Sequence, residues 1–260
     1  MAENVILGSK MTQKIKYSVV IPAYSEAAII ENNLKIVAEA LKNDQKRYRA
    51  TEMVVVAADG NDNTAELAQG RSSLFSSFKL IKPGKKVGKG RDVREGVLAS
   101  KGDYILFLDA DLATPARYIK EAFDILEDTG ADLLIADRPL NKIHNTWSRR
   151  VKSIGSNLLI RVLATPGIKD TQCGFKAFNK EAAIKLFEPL ETLGWGFDVE
   201  VLVRAQALGY KIALLKIDDW FDPKEDNMGL VGESSFHAYT HTLEELFSIA
   251  FKRLRGYYKK

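Results

Sequence analysis

Hydrophobic positions along the chain fall into two alternating kinds of segment. Short runs rich in β-branched residues, "YSVVIPA" (17–23), "TEMVVVAA" (51–58), "FKLIK" (78–82), "DYILFL" (103–108) and "ADLLIAD" (131–137), predict strands. Between them lie segments with helical spacing. Residues 26–41 place Ile29, Ile30, Leu34, Val37, Ala38 and Leu41 on one face, 64–70 closes on Gly70, and 90–100 reads as a helix. A further helix is expected from about 115 to 126, with Pro115 in the first turn, where its missing N–H would be unpaired anyway. This β-α alternation predicts an α/β fold whose central sheet is mostly parallel.

The second half is less regular. Residues 147–163 predict a basic amphipathic helix, "DTQCGFKAF" (170–178) a loop entering a strand, and 197–208 a helix. "KIALLKI" (211–217) predicts a strand, followed by the acidic loop "DDWFDPKEDNMG" and a final helix over about 235–256. No repeat, low-complexity tract or linker interrupts the chain. One domain over 16–235 is expected, preceded by a tail at 1–15 and followed by a basic amphipathic helix at 236–260.

Composition narrows the class. The 260 residues are enough for one sizeable core, and 46% hydrophobic with 28% charged residues is ordinary for a folded protein. A net charge of +4 is too mild to argue for nucleic acid as a partner. The single cysteine, Cys173, excludes an intramolecular disulfide and fits a reducing compartment. The N-terminus lacks the apolar stretch of a secretory signal, and no run approaches the roughly 18 apolar residues of a membrane span.

Ligands of parallel α/β sheets bind beyond the carboxyl ends of the strands. Charged residues gather at that end of the first five predicted strands: Glu26, Asp59, Lys89, the pair Asp109 and Asp111, and Arg138. Asp109 and Asp111 stand one residue apart after a buried run, where like charges raise each other's pKa. They suit either a shared Mg²⁺ or Mn²⁺ that receives substrate phosphates, or a solvated turn capped by Asp111. The loop "KPGKKVGKGR" (82–91) interleaves lysines with glycines, which allows backbone N–H groups to approach phosphate oxygens. It is either such a cradle or an exposed basic hairpin.

Arg138, Arg149, Arg150, Lys152 and Arg161 form a second cationic group, fit for bidentate phosphate contacts or for a solvated helix face. Asp198 and Glu200 in "WGFDVE" are either a general base for a hydroxyl acceptor or acids at a helix N-terminus. His237 and His241, four apart, have no third ligand at zinc spacing and read as a solvated face. Cys173 reads as a small packed residue. The last helix sets Leu243, Leu246, Phe247, Ala250, Phe251 and Leu254 beside Lys252, Arg253 and Arg255. That pattern suits a helix lying on anionic lipid, or one packed on its own domain with a charged tail.

The motifs "VVIPAYSE", "ADGNDNT", "GKGRDVREG", "LDADLATP", "DTQCGFKAF", "FDVE" and "GES", in this order, resemble those of family 2 glycosyltransferases, specifically the dolichyl- or polyprenyl-phosphate sugar synthases. The resemblance runs from Tyr17 to the last helix. It implies a GT-A fold, a Rossmann-like three-layer sandwich. It places Pro22, Tyr24, Glu26, Asp59, Lys89, Asp109, Ala110 and Asp111 at a nucleotide sugar, with metal (Mg²⁺ or Mn²⁺) on Asp109 and Asp111. Arg138, Arg149, Arg150, Gln172 and Lys176 would face the acceptor phosphate, with Asp170 shaping that side. The implied reaction is an inverting hexose transfer from UDP-glucose or GDP-mannose to a polyprenyl or dolichyl monophosphate. Asp109, Asp111 and Arg138 would be its catalytic residues, at the cytosolic face of a membrane, with a membrane-protein partner conceivable.

Several positions depart from the family pattern. The second motif has Ala58-Asp59 in place of two aspartates, is one residue short, and carries Asn61. Ala113 stands where mannosyl enzymes often have a third metal ligand, Ser235 where a phosphate-binding lysine is expected, and Gly229 where an arginine would fall. Lys224, Lys85 or Lys86 would compensate. These departures lean towards a glucosyl-type member. Two rivals stay open: a transferase to a hydroxyl using Asp198 as base, and a catalytically lapsed subunit that only binds nucleotide sugar.

Overall fold

Alternation along the buried strands decides the layering, because successive side chains of a strand point to opposite faces. In the computed structural model, which describes residues 14–138, 165–221 and 234–259, Val19 and Ile21 join one core cluster and Val20 the other. Leu106 and Leu108 likewise go one way, Ile105 and Phe107 the other.

The elements follow in the order β1 (Tyr17–Ala23), α1 (Ile30–Lys42), α2 (Gln45–Arg49), β2 (Thr51–Ala57), α3 (Thr64–Gln69), β3 (Ser77–Ile81), α4 (Lys89–Leu98), β4 (Tyr104–Leu108) and α5 (Tyr118–Thr129). Then come β5 (Leu133–Asp137), β6 (Phe175–Asn179), α6 (Lys180–Phe187), α7 (Phe197–Ala207), β7 (Ile212–Lys216) and α8 (Ser234–Leu254). One seven-stranded sheet runs β3-β2-β1-β4-β6-β5-β7. Helices α1 and α5 cover one face through Leu34, Val37, Ile119 and Phe123. Helices α4, α6 and α7 cover the other through Val93, Val97, Leu186, Phe187, Val201 and Leu202. Burying each such side chain contributes roughly 1.5–3 kcal/mol, so the layers are held chiefly by apolar area.

The mostly parallel α/β sheet is as expected, with one strand reversed. β6 pairs antiparallel with both β4 and β5, while the other pairings are parallel. Two helices begin later than their apolar spacing predicts. α1 starts at Ile30, after a turn in which the Glu26 carbonyl accepts from the N–H groups of Ile29 and Ile30. α5 starts at Tyr118, because residues 109–117 are taken up by turns and Pro115 precedes the first helical residue. The predicted helix at 147–163, most of the acidic loop and residues 1–13 lie outside the described residues.

α8 packs Leu246, Ile249 and Ala250 against Val199 and Val203 of α7. Its opposite side exposes Phe247, Phe251 and Leu254. Among the described residues no helix is long and apolar enough to cross a membrane.

Candidate active site

The reversed strand builds the site. A parallel strand ends where an antiparallel neighbour begins, so the segment leading into β6 meets the carboxyl end of β4. Leu108 pairs with Phe175, and one step further the Asp109 N–H donates to the Gly174 carbonyl at 2.9 Å. The approach is tight: a Cβ at Gly174 would lie 2.0 Å from Asp109 Oδ2. Beyond Asp109 the chain turns back through Leu112, which holds a left-handed φ of 53°. The turn is closed by Leu112 N–H on the Asp109 carbonyl (3.1 Å) and Ala113 N–H on Asp111 Oδ1 (3.1 Å). Asn33 of α1 donates its amide to the Ala110 carbonyl at 2.7 Å, fixing the turn from the helix side.

Lys89, the first residue of α4, reaches Asp109 Oδ1 with its ammonium at 2.6 Å. Glycines on both sides let the loop come this close. A Cβ at Gly88 would stand 2.3 Å from the Leu193 carbonyl oxygen, and one at Gly90 would stand 2.7 Å from Phe197 Cβ. Burial pulls the Lys89 pKa down, but the carboxylates of Asp109, Asp198 and Asp111 outweigh it and the net direction is upward. The ammonium therefore stays charged. The ring of the exposed Trp195 lies 5.2 Å from the same nitrogen.

Residues expected at the nucleoside cluster after β1 and β2. Pro22 is level with Val56 in the sheet, and the exposed Asp59 takes a backbone bond from its N–H to the Gly84 carbonyl at 2.9 Å. That bond draws the lysine-rich loop alongside, so that Lys86 stands 4.1 Å above the Tyr24 ring. Glu26 N–H donates to Thr64 Oγ1 (2.9 Å) and Ala27 N–H to Asp62 (3.1 Å), tying the two loops together.

On the other side Arg138 forks onto Asp170, Nε to Oδ2 at 2.5 Å and a terminal nitrogen to Oδ1 at 2.7 Å. Its guanidinium also lies 5.1 Å from the Trp220 ring. Arg138 is thus held within the protein by one donor edge on Asp170 and by its face near Trp220, which the expectation of a phosphate contact did not include. Gln172 is half-buried, with its N–H on Asp170 Oδ1 at 3.3 Å. Arg149 and Arg150 lie outside the described residues.

Two residues with expected roles are buried. Lys176, expected at the acceptor phosphate, is 0% exposed, because β6 is an interior strand. Its ammonium binds Asp198 Oδ1 (2.5 Å) and the Cys173 carbonyl (2.7 Å). Asp198, a candidate base, is 3% exposed and closed off by that pair. Burial pushes its pKa up while Lys176 and Lys89 pull it down, and burial prevails. Glu200 is an internal acceptor, taking the N–H groups of Glu191 and Thr192 and an Arg204 guanidinium. Cys173 is buried as expected, its thiol pushed up to about 11 by burial and by Asp170.

The carboxyl pair fits a hard divalent cation in part. Asp109 Oδ1 is buried and has no aligned hydrogen bond, the Lys89 ammonium meeting it as an ion pair only. Among the described residues no third His, Cys, Asp or Glu completes a cluster, so a cation here would need substrate oxygens and water for its remaining ligands. Sequence reading missed Asn33 and Trp195. The two glycines flanking Trp195 in "GWGFD" were the available signal.

A mostly parallel sheet with helices on both faces is the arrangement of a GT-A fold. Residues 18–187 match Glycosyl transferase family 2. The chain belongs to that family. It is 32% identical over 243 residues to dolichyl-phosphate beta-glucosyltransferase of Saccharomyces cerevisiae, covering 85% of this chain and 72% of the relative. It is 33% identical to Glycosyltransferase AglD of Haloferax volcanii, covering 82% of this chain but only 34% of that longer protein. Glucosyl-3-phosphoglycerate synthase of Mycobacterium tuberculosis, in complex with Mn²⁺, UDP and glucosyl-3-phosphoglycerate, shares the fold. Its TM-score is 0.65 at 18% identity, covering 90% of this chain and 80% of that one.

Proposed function

We propose that this chain transfers glucose from UDP-glucose to a polyprenyl or dolichyl monophosphate, with inversion, at the cytosolic surface of a membrane. The observation that carries the reading is the convergence of Asp109, Asp111 and Lys89 at one strand end. Similarity to dolichyl-phosphate beta-glucosyltransferases over most of the chain supports the acceptor and the sugar. Asp109 and Asp111 would hold Mg²⁺ or Mn²⁺, which supplies charge stabilisation for a leaving diphosphate. Lys89 then exchanges its contact with Asp109 for a diphosphate oxygen.

A phosphate monoester has a second pKa near 6, so at neutral pH the acceptor oxygen is already a nucleophile. It attacks the anomeric carbon, a new C–O bond forms, and the old C–O bond breaks with its electron pair leaving on the nucleoside diphosphate. No protein base is needed, which agrees with the burial of Asp198 against Lys176 and disfavours transfer to a hydroxyl through that residue. Arg138, braced by Asp170, shapes the acceptor side. The exposed Phe247, Phe251 and Leu254 with neighbouring basic residues would rest α8 on anionic lipid.

The test is incubation with UDP-glucose or GDP-mannose, with and without polyprenyl phosphate and Mg²⁺ or Mn²⁺, followed by detection of a glycolipid. A glucolipid dependent on polyprenyl phosphate is expected. A mannolipid formed in preference would overturn the sugar assignment, and nucleotide binding without transfer would overturn catalysis.

A further inference from the structure

The last helix reaches the site through one carboxylate. Glu245 of α8 accepts two backbone hydrogen bonds, from Gly194 N–H at 3.1 Å and Gly196 N–H at 2.9 Å. The fit is close: a Cβ at Gly194 would meet Glu245 Oε1 at 2.3 Å, so the carboxylate would have to shift, and one at Gly196 would meet Oε2 at 3.0 Å. Trp195, between them, is thereby turned outwards, with 56% of its surface exposed.

The clamped loop in turn holds the start of α4. Gly90 N–H donates to the Gly194 carbonyl at 3.2 Å and Arg91 N–H to the Leu193 carbonyl at 3.1 Å. Lys89 sits immediately before these two residues, has the Trp195 ring at 5.2 Å, and meets Asp109 at 2.6 Å. An unbroken series of contacts therefore runs from Glu245 through Gly194 and Gly90 to Lys89 and Asp109. Hydrogen bonds to a charged acceptor are stronger than those to a neutral one, so the pair can hold a short glycine-rich loop in one arrangement.

The geometry points to Glu245 as a positioning residue for the transfer reaction: it clamps the Leu193–Gly196 loop so that Trp195 and the start of α4 hold the Lys89 ammonium beside Asp109. The last helix is then part of the catalytic apparatus as well as a surface element. The proposal rests on the transfer reading for its kinetic consequence, but the clamp itself does not depend on it.

Two readouts separate these in full-length Glu245→Ala, Glu245→Gln and Trp195→Phe proteins. Hydrogen exchange reads the loop: Glu245→Ala is expected to speed exchange at Gly194, Gly196, Gly90 and Arg91 by about ten-fold or more, as loss of a charged acceptor implies. Glu245→Gln keeps one acceptor and falls between. Kinetics read Lys89: kcat in Glu245→Ala falls about ten-fold while the KM for polyprenyl phosphate stays within about two-fold, the pattern of an interaction made chiefly in the transition state. Trp195 emission, taken as the difference between wild type and Trp195→Phe, shifts in Glu245→Ala without UDP and responds less to UDP. Unchanged exchange at those amides would overturn the clamp. Faster exchange with unchanged kcat would overturn its role in positioning. If wild-type protein makes no glycolipid, the transfer reading fails, while exchange and emission still decide the clamp.

Discussion

Asp198 Oδ1 lies 2.5 Å from the ammonium of Lys176, and both side chains are sealed from solvent. The pair lies beneath the site. Lys176 also binds the Cys173 carbonyl, one residue before the Gly174 that abuts Asp109. Removing one partner leaves a buried charge uncompensated, so Lys176→Met or Asp198→Asn should each cost about 3–5 kcal/mol in urea unfolding. Lys176→Met combined with Asp198→Leu should recover most of that loss. Single variants as stable as wild type would show the pair to be structurally idle.

Gly174→Ala tests the close approach at the strand end directly. Its added Cβ would stand 2.0 Å from Asp109 Oδ2, so the carboxylate must swing away. The expected result is a fall of about 10²-fold in kcat/KM, the scale of a small misplacement of a reacting group, with the circular dichroism spectrum retained. Wild-type kinetics in this variant would mean that the orientation of Asp109 is irrelevant to turnover.

Asp109→Asn and Asp111→Asn should each reduce glucosyl transfer by about 10²–10³-fold if they bind the metal that steadies the leaving diphosphate. Asp109→Asn also removes the charge that Lys89 faces. Manganese titration followed by the paramagnetic signal of the free ion should then show weaker binding in both variants. Tight Mn²⁺ binding retained in the double variant would place the metal elsewhere.

Arg138→Lys keeps the charge but loses the fork onto Asp170, whose side chain is only 2% exposed, and the stacking on Trp220. A buried carboxylate left short of donors costs about 1–3 kcal/mol. Denaturant midpoints should fall accordingly, and the KM for polyprenyl phosphate should rise more than that for UDP-glucose. Equal rises for both substrates would remove Arg138 from the acceptor side.

Acid stability has a local source at the amino ends of the strands. Burial pushes the carboxyls of Asp124 and Glu127 up, but hydrogen bonds from Lys120 and Arg47 to Asp124, and from Lys16 and Tyr17 to Glu127, outweigh it and hold both below their ordinary values. A carboxylate depressed in the folded state contributes stability that is complete above its unfolded pKa and lost as pH falls through the folded one. Stability should therefore decline as pH drops below about 4.5, the ordinary glutamate value, and continue to decline below 3.8, that of aspartate. Arg47→Met should flatten this decline in denaturant midpoints measured from pH 6 to pH 3. An unchanged slope would assign acid lability to other groups.

Much of the frame was legible because it depends on local periodicity. Val19, Val20 and Ile21 alternate between the two core clusters, and residues 30–42 present one apolar stripe, so strand, helix and layer follow from spacing alone. The abrupt end of an apolar run at Asp109 likewise marked the carboxyl end of a strand, which β4 has at Leu108. What spacing does not encode is which strand becomes whose neighbour. The apolar content of "FKAF" does not record which way the segment runs in a sheet, and only the tertiary arrangement inserts β6 antiparallel between β4 and β5. That insertion buries Lys176, brings Gly174 onto Asp109 and sets Asp170 against Arg138. Glu245 lies 49 residues from Gly196, a separation at which sequence gives no sign of contact. The chain by itself determined the elements and the chemistry at their ends. Packing decided which of those charges face one another, because pairing across a sheet and between helices depends on long-range apolar burial that no local pattern records.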